Sequence, residues 1–590
     1  MKLHVGSILL LLLAFAGVAD SFNSNDLSTS ARGAEGALVA QTSATTAASS
    51  AAEAVPGELT ADLLYAILLG EIAMQRGDRL VAFAHYLEAA DAASDVRLAE
   101  LATRTALAAE ELDATRRGVD LWLALDSESI GAHLVSALVA TRRDRQEVAH
   151  ASLRDVAKLA QSAGRDGFLR VAALITTIAP PAERLALMRS LSELAHEDAV
   201  ARYALAVVAA DAAQHDEAIE ASRAALAIEP DWDEPRTLLV RLLIAEGRRQ
   251  DAREILEASV DAAPKGHVLR MLYAQLLVED REFSSARNVF ERMLHDSPKE
   301  PDVLFAIAVL SLQLDDTRAA RGYFEELYAT GERRDDAAFY LGQIEEAAGE
   351  LEKALAWYAK VEGDSKRDAE VRAANIYALQ GDIDKARETL AQLRARAPEH
   401  AQTLFLIEGE MLRDHDHAMA ALAVFNEALA EHPDSESLLY ARALHAVSMG
   451  QIDVLERDLR RILASNPDHA DALNALGYTL ADQTERYQEA YDLIQKALTL
   501  KPEEPAILDS MGWVLFRMGR YSEAIDFLRR AHERMPDGEI SAHLGEALWV
   551  SGQRDAAWQV WDEALAADPD HEYLNEVIER FRYSRPGDSR

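Results

Sequence analysis

Residues Pro505–Pro536 read PAILDSMGWVLFRMGRYSEAIDFLRRAHERMP. Five positions in this stretch carry the argument: Gly512, Gly519, Ala524, Leu528 and Pro536. The first half repeats apolar residues at helical spacing, and so does the second. Gly519 sits between the halves, where a left-handed residue closes one helix before the next begins. Gly512 and Ala524 are small, so the two helices approach closely, and Leu528 fills the groove they leave. Pro536 ends the second helix, because it lacks an N–H and disfavours helix in the residue before it. The stretch is a helix hairpin, and one hairpin cannot bury its apolar face alone.

The same marks recur along the chain. Prolines fall at Pro230, Pro264 and Pro298, then at Pro398, Pro433, Pro467, Pro502, Pro536 and Pro569, about 34 residues apart. Twelve residues before the prolines stand Ala218, Ala252, Ala286, Ala386, Ala421, Ala490, Ala524 and Ala557, and only Leu455 departs. Two units without the proline supply Ala320 and Ala354. Four residues on, a larger side chain is the rule, as in Phe290, Phe324, Tyr358, Phe425 and Trp561. Gly342, Gly409, Gly477 and Gly545 match Gly512, and Gly349, Gly450 and Gly552 match Gly519. A first unit is readable at Gly70, Gly77, Ala82 and Tyr86. Residues 62–569 give room for about fifteen units at this period.

The pattern resembles the tetratricopeptide repeat (TPR), with its small residues at the eighth and twentieth positions and proline at the thirty-second. That resemblance implies an all-α helix-turn-helix solenoid wound as a right-handed superhelix. The expected organisation is an export signal at 1–19, a Ser/Thr/Ala-rich linker at 20–57, degenerate helical repeats at 58–200 and the regular array at 201–569. A capping helix at 570–584 and a disordered tail at 585–590 complete it.

Composition narrows the function. The 590 residues include 61 Lys plus Arg against 100 Asp plus Glu, a formal charge of −39. Phosphate backbones repel such a chain, so nucleic acid is not an expected partner. Cysteine is absent, which removes disulfides, thiolate nucleophiles and thiolate metal sites. At the start, Lys2 precedes the apolar run Ile8–Ala16, and the small residues Gly17 and Ala19 follow. This describes a secretory signal, cleaved after Ala19 or kept as an anchor, and predicts a periplasmic chain. No other stretch has the apolar length of a membrane span.

Catalytic signatures are missing from the sequence. It has no GxxxxGK[ST] or GxGxxG phosphate loop, no HExxH zinc helix and no GxSxG elbow. Asp414-His415-Asp416-His417 groups metal-binding residue types, yet falls where the turn between two helices is expected and reads as a solvated turn. No catalytic, cofactor or metal residue is assigned, and the chain is read as a non-enzyme. Binding is expected on the first helix of each unit, which lines the concave face of a solenoid. Counting from the helix glycine places Asn474 and Tyr478, Asp509 and Trp513, and Glu546 on that face, with Arg517 and Trp549 a turn further on. This ladder is either a site for a protein or extended peptide or a set of packing aromatics.

Two regions extend the resemblance. Ala472–Asp482 (ALNALGYTLAD), Glu485–Leu498 (ERYQEAYDLIQKAL), Pro505–Gly519 and Ala542–Gly552 (AHLGEALWVSG) look like a group of bacterial envelope TPR proteins. Leu63–Asp78 (LLYAILLGEIAMQRGD) and Val96–Leu107 (VRLAELATRTAL) look like the start of the same group. That group includes the lipoprotein adaptor of a periplasmic carboxyl-terminal processing protease. The resemblance implies a scaffold that binds the protease and its substrates. The alternative is a scaffold for envelope or polysaccharide assembly with no link to proteolysis. One feature departs from the group: Phe15-Ala16-Gly17-Val18 stands where a lipoprotein carries its acylated cysteine, so this chain is not a Cys-acylated lipoprotein.

Overall fold

The structure, a computed structural model, describes residues 60–262 and 267–581. The expected signal, the linker up to residue 57 and the tail at 585–590 lie outside the described residues. Within them there are thirty-one α-helices and no strand. Thirty pair in sequence as fifteen antiparallel hairpins, from Ala61–Gln75 with Arg79–Ala93 to Gly538–Val550 with Arg554–Ala567. A single helix, Glu572–Phe581, follows the last hairpin. The fold is the expected all-α repeat of helix hairpins. We call the first helix of each unit A and the second B.

The small residues on helix A act as the spacing predicts. A Cβ on Gly545 would lie 2.0 Å from Nε1 of Trp561, and one on Gly409 would lie 2.2 Å from Cζ of Phe425. In each pair the helix-B side chain occupies the volume that the glycine leaves open, and Trp561 is fully buried there. Close packing of this kind makes the A–B interface intolerant of a single added methyl.

The turns show the regularity that the sequence hides. Gly349, Gly450, Gly519 and Gly552 adopt φ of 76°, 70°, 77° and 91°. The same left-handed position recurs in units without the glycine: Glu110, Asp144, Ala213, Arg281, Asp315 and Asp416 take φ between 54° and 63°. Each of these sits at the A–B turn of its hairpin, one to three repeats from the next. The turn geometry is therefore kept where the residue type is not, against a cost of about 1–2 kcal/mol for a left-handed residue with a side chain. Pro180-Pro181, in the weakly marked region, also form a turn. Pro181 starts the helix Pro181–Leu194, where a missing N–H costs nothing.

The described residues divide into two compact units, with the boundary in sequence between Ala337 and Ala338. In the first unit a continuous core runs from Leu134 to Leu276. Ahead of it, residues 73–139 bury their apolar side chains in smaller separate groups, such as Ala90, Ala99, Trp122 and Ala132. In the second unit one core extends without a break from Ala374 to Ile578.

Candidate functional site

In the second unit the A helices meet the A helices of neighbouring hairpins. Tyr478, on Ala470–Gln483, donates a 2.8 Å hydrogen bond to Glu539, which lies on Gly538–Val550 two units later. A side chain that spans two repeats this way places the A helices on the inner side of the curve. Several residues of the expected ladder are joined into one network.

The centre of the network is His543, a residue that counting from the glycines does not select. It is fully buried, and Nδ1 lies 3.0 Å from both carboxylate oxygens of Asp509. Its ring stacks on Trp513 with centroids 4.1 Å apart. Its Nε2 is 3.3 Å from the Tyr573 hydroxyl, which comes from the closing helix. Burial works against the charge on His543, but the carboxylates of Asp509, Glu539 and Glu546 outweigh it and hold the imidazole pKa above its usual value. A charge this deep survives only when it is paired, and Asp509 supplies the pair.

The outer members complete the shell. Trp513 donates from Nε1 to Asp482 at 3.1 Å. Arg517 donates to the Asp482 carbonyl at 2.7 Å and to the Tyr487 hydroxyl at 3.1 Å. Glu546 is buried, which raises its carboxyl pKa, and Arg580 of the closing helix approaches it to 3.3 Å. Burial, then Glu539, pushes the Tyr478 hydroxyl far above the usual phenol value. Trp549 stands apart, half-buried among Trp558, Trp561 and Phe581, with the Arg554 guanidinium 4.8 Å from its ring centroid. Asn474 has a buried Oδ1 with no hydrogen-bond partner. So Tyr478, Asp509, Trp513, Arg517 and Glu546 are drawn together around His543, while Trp549 belongs to an adjoining aromatic cluster. Asp482, Glu539, Tyr573 and Arg580 join them from positions that the repeat period does not point to.

A second feature of the same face lies nearer the start of this unit. The A helices Arg334–Ala347, Lys366–Leu379 and Ala401–Asp414 border a cavity of about 620 Å³. Its lining mixes the apolar Phe339, Val371 and Ile407 with the polar Arg367, Arg372 and Asn375.

The Asp414–His417 segment forms the turn between Ala401–Asp414 and Ala418–Glu431, with Asp416 left-handed at φ 63° and Asp414 paired to Arg413. Among the described residues, no three His, Asp or Glu side chains gather as a metal-holding group. Among the same residues, no helix is long and apolar enough to cross a membrane.

Comparison with known proteins identifies the hairpins. Sequence models of the tetratricopeptide repeat match residues 209–276 and 483–542, 305–369 and 440–505, and 368–400. The chain carries tetratricopeptide repeats. A TPR repeat-containing protein of Pseudomonas aeruginosa is 43% identical over 209 residues, 35% of this chain and 35% of that protein. A TPR repeat-containing protein of Bacillus subtilis is 26% identical over 228 residues, 38% of this chain and 45% of that one. The chain thus spans less than half the length of these curated relatives. Yeast Tom70 aligns at 14% identity over 88% of this chain and 96% of its own, with a TM-score of 0.34. TPR proteins in general mediate protein–protein interactions and bind proteins or peptides, and the TPR fold is typically a non-catalytic scaffold.

Proposed function

We propose that the chain is a non-enzymatic interaction scaffold of the bacterial cell envelope: a periplasmic adaptor that holds a carboxyl-terminal processing protease and presents proteins to it. The observation that carries the scaffold reading is the run of fifteen hairpins from Ala61 to Ala567, whose second unit turns its A helices toward one another. Such a face offers an extended partner many small contacts in register, and it needs no reacting group. Of the ladder, the half-buried Asn474 and Tyr478 belong to that face, while Asp509, Trp513 and Glu546 are buried. The apolar run at Ile8–Ala16 supports export. The likeness of the first and last units to bacterial envelope adaptors is what suggests the protease partner.

The test is capture. A tagged chain lacking residues 1–19 is incubated with periplasmic extract at low and high salt, and the bound proteins are identified. The reading expects a carboxyl-terminal processing protease, released as salt screens the acidic surface. Recovery of envelope-assembly proteins without any protease would replace the adaptor by the assembly scaffold.

A further inference from the structure

The cavity bordered by Arg334–Ala347, Lys366–Leu379 and Ala401–Asp414 has the chemistry of a carboxylate receptor. Its lining reverses the sign of the chain: two guanidinium groups, Arg367 and Arg372, face it with one carboxylate, Asp368, in a protein of net charge −39. Neither arginine is used up by its neighbours. Arg367 spends Nε on Asp368 at 3.1 Å and Nη1 on Nε2 of His400 at 2.9 Å, while Nη2 has no partner. Arg372 spends Nη1 on Glu346 at 3.1 Å and also interacts with the Tyr358 hydroxyl, yet its side chain keeps 38% of its surface exposed. Asn375 adds a side-chain amide to the same lining. Phe339, Val371 and Ile407 add apolar side chains to it, and the Arg372 guanidinium lies 6.0 Å from the Phe339 ring centroid.

A lining with both donors and apolar side chains selects a ligand with both properties. Free guanidinium N–H groups match a carboxylate, which they bind through two parallel hydrogen bonds. A volume of about 620 Å³ is in the range of specific ligand sites. The cavity lies along three successive A helices, an arrangement that suits an extended segment. We propose that the cavity binds an extended internal segment of a protein partner. The segment sets an aspartate or glutamate side chain between Arg367 and Arg372, and an adjacent aliphatic side chain against Phe339 and Ile407. This proposal rests on the reading of the chain as a protein-binding scaffold and names the partner chemistry for one stretch of it.

The probe is a phage-displayed library of random octapeptides, fused at both ends so that no free terminus is offered. Binders to the full chain are selected, and their synthetic capped forms are measured by fluorescence polarisation. The proposal expects sequences with Asp or Glu beside Leu, Ile or Val. It expects their affinity to fall about tenfold or more when Arg367 and Arg372 are both changed to Ala, the loss of one charge-assisted pair. Arg372→Lys recovers part of that loss, because it restores the charge but not the fork. Binders that are basic, or that bind the double variant as well as the parent, overturn the cavity proposal and leave the scaffold reading standing. A library that yields no binder to any part of the chain overturns the scaffold reading itself. Both arginines are partly exposed, and circular dichroism of the variants checks that the fold is kept.

Discussion

The imidazole of His543 sits with Nδ1 3.0 Å from both carboxylate oxygens of Asp509, and the two residues are 34 positions apart. One full repeat therefore separates the partners, and the pair fastens the last hairpin to the one before it. Asp509, Glu539 and Glu546 raise the His543 pKa against the opposing effect of burial. A raised folded pKa means that the pair stabilises fully below the unfolded value of about 6.5 and loses that contribution as the pH rises through the folded value. NMR titration of the imidazole is expected to give a pKa above 6.5, falling when Asp509 is changed to Asn. A pKa at or below 6.5 in the parent protein would contradict the charge assignment.

The Gly545 and Trp561 contact predicts a large effect from a small change. Gly545→Ala introduces a methyl where the gap to Trp561 is 2.0 Å. The expected cost is about 1–3 kcal/mol, as for other overpacked cores. Loss of protection by hydrogen exchange, confined to the helices around 538–567, is the measurement. An unchanged exchange pattern would mean that Trp561 moves aside freely.

The left-handed turns predict a change in the other direction. Arg281 holds φ of 62° at an A–B turn. Replacing it with Gly removes the steric cost of a side chain there, offset in part by the entropy that glycine loses on folding. Arg281→Gly is expected to stabilise its hairpin by about 0.5–1 kcal/mol, read from denaturant melts. Gly519→Ala, at φ of 77°, is expected to destabilise by a similar amount.

Arg442 and Asp458 make a bidentate pair at 2.7 Å, and Asp458 is 1% exposed. Arg442→Ala leaves that carboxylate buried and uncompensated, with an expected cost of about 3–5 kcal/mol. The double change of Arg442 to Met and Asp458 to Leu is expected to recover most of it. A double variant as unstable as the single one would show that the pair contributes more than mutual compensation.

Sequence spacing predicts that residues 97–200 open first, because their repeat marks are weak. The cores refine that expectation. Residues 73–139 bury their apolar side chains in small separate groups, whereas a continuous core begins at Leu134. Amide exchange is thus expected to be fastest in 73–139 and slower from Leu134 onward, since local opening follows buried apolar contact.

The hairpin itself is legible because each of its marks has a local cause. Gly512, Ala524 and Leu528 meet within one hairpin, so their spacing carries the packing. Turns at Glu110 and Asp144 are not legible, because only the backbone, and not the residue type, keeps the left-handed geometry there. The His543 network escapes the sequence for a different reason. Its bonds run between units, from His543 to Asp509, from Trp513 to Asp482 and from Tyr573 back to His543, and depend on how one hairpin is rotated against the next. Period alone marks which residues are equivalent, not which ones touch. The cavity beside Phe339 lies across three units, of which only the first lacks its proline mark, and its arginines have no counterpart in the repeat pattern.

The central claim is that the chain works by holding a protein along its A-helix faces and not by chemistry of its own. Hydrogen exchange of the full chain, with and without the captured protease, tests it most directly. The account predicts slower exchange on binding in A helices of the second unit, among them Lys366–Leu379 and Ala470–Gln483, with the B helices unchanged. Protection confined to B helices, or turnover of a substrate by the chain alone, would contradict it.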